Sequence, residues 1–125
     1  LVKTEWHHNA ATLPKFLIRL HGDEVPYASI ASINWMMCAV LPPIVQSALS
    51  HVGHIDIITY GCYIMGIAPF IMVLSPSVGA ACLWNVVYTI GEVLWSPRTS
   101  TLAAQIAPEG MEATFFSMAA APQFM

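Results

Sequence analysis

The chain alternates between long apolar runs and short polar interruptions, and the runs lack the charged face of a surface helix. Residues 28–49 pass from Ala28 to Leu49 without a charge. As a helix this run is about 33 Å long, enough for a bilayer core. Ser50 to Asp56 forms a short polar turn. Residues 57–74 are apolar again and give about 27 Å, the low end for a span. Ser75-Pro76-Ser77 marks the next turn, and residues 78–106 form the longest segment. Pro108 to Glu112 ends it, and residues 113–125 are predicted to begin a further helix. Glu109 and Glu112 then fall near its first turn, where acids suit the helix dipole.

Ahead of these spans, residues 1–27 read as a polar, His-containing loop and the end of a preceding helix. Leu13 to Leu20 is apolar with basic interruptions at Lys15 and Arg19, a pattern that also fits an interfacial helix. Inside the spans, Pro42-Pro43 would end a soluble helix, but in a membrane neighbouring side chains can satisfy the freed carbonyls. Gly61, Gly66 and Ala68 are small positions that allow helices to approach closely where lipid supplies no hydrophobic drive. Core helices of a large soluble protein are the rival reading, but such helices are shorter and carry charged faces.

Composition agrees with the pattern. The 125 residues are 57% hydrophobic and 9% charged, against roughly 25% charged in an ordinary soluble domain. Between Val25 and Ile106 the only charges are Asp56, Glu92 and Arg98. That interval cannot make a soluble surface, and it is too apolar for a disordered one. A net charge of −3 without a Lys/Arg cluster excludes a basic nucleic-acid binder. The expected class is an all-α polytopic transmembrane helix bundle, integral and multi-pass, with the lipid bilayer as its first partner. The chain begins at Leu1 and stops in an apolar run, so a fragment of a longer chain is expected.

Glu92 is the sharpest chemical feature. It sits near the middle of the longest span, beside Gly91. An intramembrane carboxylate costs a few kcal/mol or more unless it pairs, protonates or faces water. It is a candidate substrate-binding or proton-coupling residue, or a structural carboxylate paired inside the bundle. Arg98 lies on the same segment, about 120° round an ideal helix from Glu92, so the two should not pair directly. Pro97 between them is a potential kink. Arg98 is a second candidate; snorkelling, or binding a carboxylate of another helix, is its structural alternative. Asn34 in the first span is the third, as pathway lining or as interhelical glue. Asn85 resembles Asn34 in placement, Gln46 is expected to reach only the interface, and Trp95, which could line a cavity, is expected rather to pack or face lipid.

Cys38, Cys62 and Cys82 all fall inside spans, without the spacing of a disulfide framework, and read as small packing residues. His7-His8 and His51-x-x-His54 have no third ligand at metal spacing, so no metal site is expected. No phosphate-cradling loop or nucleophile elbow appears, and neither a cofactor nor an enzyme is expected.

Two segments resemble a known family. Tyr27-Ala28-Ser29-Ile30-Ala31-Ser32-Ile33-Asn34, followed by an apolar run to Pro42-Pro43, is similar to the eighth helix of major facilitator superfamily transporters. Gly91-Glu92-Val93-Leu94-Trp95-Ser96-Pro97-Arg98 resembles their tenth helix, above all the Gly-Glu-x-x-x-x-Pro pattern of proton-dependent oligopeptide transporters. Ile106-Ala107-Pro108-Glu109-Gly110-Met111-Glu112 looks like the following loop, and the whole resembles the facilitator-type general substrate transporters of protists. The resemblance implies about a quarter of a twelve-helix fold, covering the outer end of helix seven, helices eight to ten and the start of eleven.

Its implied function is solute transport by alternating access, with protons a candidate coupling ion and the remaining helices supplied by the same chain. Glu92 matches the tenth-helix Glu that lines the oligopeptide site; Arg98 stands where that family is commonly not basic. A non-transporting membrane subunit or a membrane-embedded enzyme fragment is the alternative. Basic residues alone would place the 1–27 side in the cytoplasm, but the expected orientation is the one the resemblance implies, with the first span running inward from outside.

Overall fold

The computed structural model describes residues 11–22 and 25–120. The expected polar segment over 1–10, with His7 and His8, the acids Asp23 and Glu24, and the tail 121–125 lie outside the described residues. All regular structure among the described residues is helical: α1 (Leu13–His21), α2 (Tyr27–Ala48), α3 (His54–Ile67), α4 (Phe70–Leu74), α5 (Val78–Ile106) and α6 (Glu112–Ala120).

The stretch from Leu13 is a separate short helix. Pro14 suits its first turn, and Gly22 ends it at φ 84°, with its N–H bonded to the Ile18 carbonyl at 2.8 Å. Leu13 and Leu17, one turn apart, are buried in the core, while Lys15 and Arg19 stay exposed.

Three helices are long and apolar enough to cross a membrane: α2, the α3–α4 pair over His54–Leu74, and α5. The second span starts at His54, not at residue 57. His54, Ile55 and Asp56 supply its first turn, and Asp56 suits the positive end of the helix dipole. The same span is not one continuous helix. Pro69 has no N–H for the Met65 carbonyl, so the Ala68 N–H reaches Ile64 O at 3.2 Å and Met65 O at 3.3 Å instead. That tightened turn separates α3 from α4. The Pro42-Pro43 pair, by contrast, lies within continuous helix.

α5 is the central element, with α2, α3, α4 and α6 all packed against it. Of its most apolar window 39% is buried, against 6% for α2. The Ser77 hydroxyl caps its start by accepting the Ala80 N–H at 3.1 Å. The α3–α5 contact is a glycine crossing. A Cβ on Gly61 would lie 2.8 Å from the Gly91 carbonyl oxygen, and one on Gly91 would lie 2.8 Å from the Gly61 carbonyl oxygen. Neither helix could come this close with a larger residue.

The core cluster lies at the α1 end of the bundle, where Leu13 and Leu17 meet Ile30, Met65, Trp84 and Tyr88. The rings of Trp84 and Tyr88 lie 5.7 Å apart there. Outward-facing positions are also apolar: Trp35, Val73 and Leu74 are 73%, 77% and 86% exposed. A surface of this kind suits hydrocarbon rather than water.

Candidate functional site

The seam between α2 and α5 carries a polar ladder. Its first rung is Asn85, fully buried, whose Nδ2 donates to the Ile30 carbonyl at 3.0 Å. The Thr89 hydroxyl, one turn further along α5, donates to the Asn85 carbonyl at 2.7 Å. Asn34 Nδ2 then donates both to Thr89 Oγ1 and to Glu92 Oε2, each at 2.9 Å. The Cys38 thiol closes the ladder 3.7 Å from the same carboxylate oxygen. Helical repeat explains the assembly: Asn34 and Cys38 share one face of α2, and Asn85, Thr89 and Glu92 share one face of α5.

Glu92 is half-buried in the middle of α5. Among the described residues its hydrogen-bond donors are the Asn34 amide and the Cys38 thiol, both neutral. These orient the carboxylate without neutralising it. The arrangement leaves a carboxylate that could take a cationic group at Glu92. Among the described residues no group of three His, Cys, Asp or Glu side chains stands close enough to hold a metal ion.

Two of the three candidates named from the sequence therefore meet, and the third stands apart. Arg98 is 7% exposed. Its Nη2 donates to the carbonyls of Leu49 at 2.8 Å and Gln46 at 3.4 Å, and its Nη1 lies 3.3 Å from His54 Nδ1. It is buried rather than snorkelling, and among the described residues it binds carbonyls and a histidine, not a carboxylate. A helix leaves its last carbonyls without partners and carries its negative dipole end there. Arg98 caps that end of α2 and ties it to the start of α3.

Gln46 departs from expectation as well. Its Nε2 reaches back to the Val93 carbonyl at 3.4 Å. Pro97 follows Val93 by one helical turn and has no N–H to offer it, so Gln46 replaces the lost donor. Trp95 packs inward over Gly61, with its Nε1 2.8 Å from Met65 Sδ. Gly91 makes room for the close approach of α3.

Sequence reasoning missed Thr89 altogether and read Cys38 only as packing. The spacing of Asn85, Thr89 and Glu92 at helical repeat inside an apolar span was the available signal. Comparison with protein-family models, with curated proteins and with solved structures finds no match to this chain.

Proposed function

We propose that the chain forms part of a secondary membrane transporter of the facilitator type, in which α2, the α3–α4 span and α5 belong to a twelve-helix bundle working by alternating access. One observation carries this reading: a half-buried carboxylate, Glu92, sits at the centre of the most buried span and is held, among the described residues, by neutral donors. An intramembrane ionisable group of this kind is costly and marks a pathway by default. In this reading Asn34 positions Glu92, Glu92 binds a solute cation or a coupling proton, and Arg98 belongs to the scaffold. The resemblance of Gly91 to Arg98 and of Tyr27 to Asn34 to facilitator helices supports the same function.

A second reading has an observation of its own. One Asn34 amide bridges Thr89 and Glu92 across two helices, the kind of contact that clamps a non-transporting membrane subunit. Uptake separates the two. Vesicles carrying the intact protein are assayed with a labelled dipeptide, a hexose and a dicarboxylate under an imposed proton gradient. Saturable uptake of at least one is expected. Glu92→Gln should lower it by about tenfold or more, the loss of one charge-assisted contact, while membrane abundance stays unchanged. Wild-type uptake in Glu92→Gln removes Glu92 from the mechanism, and a folded protein that moves none of the three solutes favours the clamp.

A further inference from the structure

The polar face of α5 does not stop at Glu92. Asn85, Thr89, Glu92, Ser96 and Thr99 recur at alternating spacings of four and three, which keeps all five on one side of the helix. Down to Glu92 this stripe is covered by Ile30, Asn34 and Cys38 of α2. Beyond Glu92 the bonds from α2 leave it, going to the Val93 carbonyl and to Arg98. The stripe then meets a half-open cleft of about 200 Å³ between α5 and α6, lined by Ser96, Thr99 and Ala103 and, at its exposed rim, by Ser100, Phe116 and Ala119.

The hydroxyls there are not equivalent. Thr99 donates to the Trp95 carbonyl at 2.9 Å and Ser100 to the Ser96 carbonyl at 3.3 Å. Ser96 Oγ has no hydrogen-bond partner among the described residues and is half-buried at the cleft wall. A polar group without a protein partner at membrane depth persists where water reaches it. One liquid water occupies about 30 Å³, so the space takes several. Ser96 lies one turn from Glu92, about 6 Å along the axis.

We propose that this cleft is hydrated and brings water to Ser96, one helical turn from Glu92, so that Glu92 is wetted from the α6 side. The inference rests on the reading of Glu92 as a pathway residue, and it names the side from which that residue is wetted. Ser96 is the positioning residue for the innermost water, and Ala103 and Ala119 keep the cleft clear by being small.

Cysteine accessibility tests the hydrated cleft without requiring transport. Cys38, Cys62 and Cys82, with any cysteine in the remainder of the intact protein, are replaced by serine, and single cysteines are placed at Ser96, Thr99 or the outward-facing Leu83, which is 55% exposed. Phosphatidylcholine vesicles are treated on both sides with a membrane-impermeant quaternary-ammonium methanethiosulfonate, and the mass gain is followed in time. Ser96→Cys and Thr99→Cys should react at least about tenfold faster than Leu83→Cys, because the reactive thiolate forms only in contact with water. Adding Ala119→Trp or Ala103→Trp, which fills the cleft from one wall or the other, should return the Ser96→Cys rate to that of Leu83→Cys. Rates for Ser96→Cys and Thr99→Cys no faster than the control, in protein with wild-type helix content, overturn the proposal. Loss of uptake in Glu92→Gln alongside an unreactive Ser96→Cys would leave transport standing and remove the hydrated cleft. Reactive cysteines with normal uptake in Glu92→Gln would leave the hydrated cleft standing and remove Glu92 from the transport mechanism.

Discussion

Asn34 holds two acceptors on α5 with a single amide nitrogen. Asn34→Leu is therefore expected to destabilise the bundle by about 1 kcal/mol, the usual scale of interhelical hydrogen bonds in membranes. Reversible unfolding in mixed detergent micelles measures it. Thr89→Val should be non-additive with it, since both substitutions break one network. Arg98 predicts a different loss. Arg98→Met leaves the Leu49 carbonyl without its donor, at a cost of about 1–3 kcal/mol. The effect should be local, read as faster amide exchange over Ser50 to Gly53 with Asn34 and Glu92 undisturbed. From the sequence Glu92 was legible as a charge that must be compensated. That Arg98 does not pair with it was legible from the angle between them on one helix; that Asn34 holds it was not, because the facing residue of another helix is unknown until the helices are placed.

At the scale of elements, close approach and helix termini decide the outcome. Gly61 and Gly91 face one another's carbonyls, so Gly61→Ala must push α3 off α5 and is expected to cost roughly 1–3 kcal/mol. Gly66→Ala is the control, since a Cβ there meets nothing within 4 Å. The same thermal or detergent unfolding series reads both. The start of α6 carries a pH dependence. Glu112 Oε1 accepts the Gly110 N–H at 3.2 Å. Its own N–H and that of Gly110 hold its carboxyl below the usual value of 4.5. A depressed carboxyl adds stability that is present above its ordinary value and is lost as pH falls through the lowered one. Fraying of α6 is therefore expected on acidification below the usual carboxylate range, seen as faster amide exchange over Ala113 to Phe116, and Glu112→Gln should remove the pH step. The three small positions in the second span were legible as packing sites. Which of them is used was not: Gly61 is buried, Ala68 joins the core, and Gly66 is exposed.

The whole molecule has two ends, and the contacts assign each turn to one of them. His21 Nε2 lies 3.1 Å from the Pro76 carbonyl, which brings the end of α1 to the turn between α4 and α5. Arg98 bonds Leu49 beside the turn between α2 and α3, which belongs to the opposite end. A small charged thiol reagent added to one side of sealed vesicles should therefore label cysteines placed at Ser50 and Glu109 together, and those at His21 and Ser77 only from the other side. Labelling of Ser50 and Ser77 from the same side would contradict three membrane crossings. The sequence by itself determined which three segments are long and apolar enough to cross a membrane among the described residues, roughly where each turn falls, and that one carboxylate lies in the middle of the longest. Apolar length against a fixed bilayer thickness is a property of one dimension and can be read along the chain. Only the tertiary structure decided which side chains meet. These spans are apolar nearly all round, so their pattern does not say which face turns toward which neighbour. Rotation and crossing set that, through the glycine contact of α3 with α5, the bond from Gln46 to the carbonyl freed by Pro97, and the seam that joins Asn34 to Glu92.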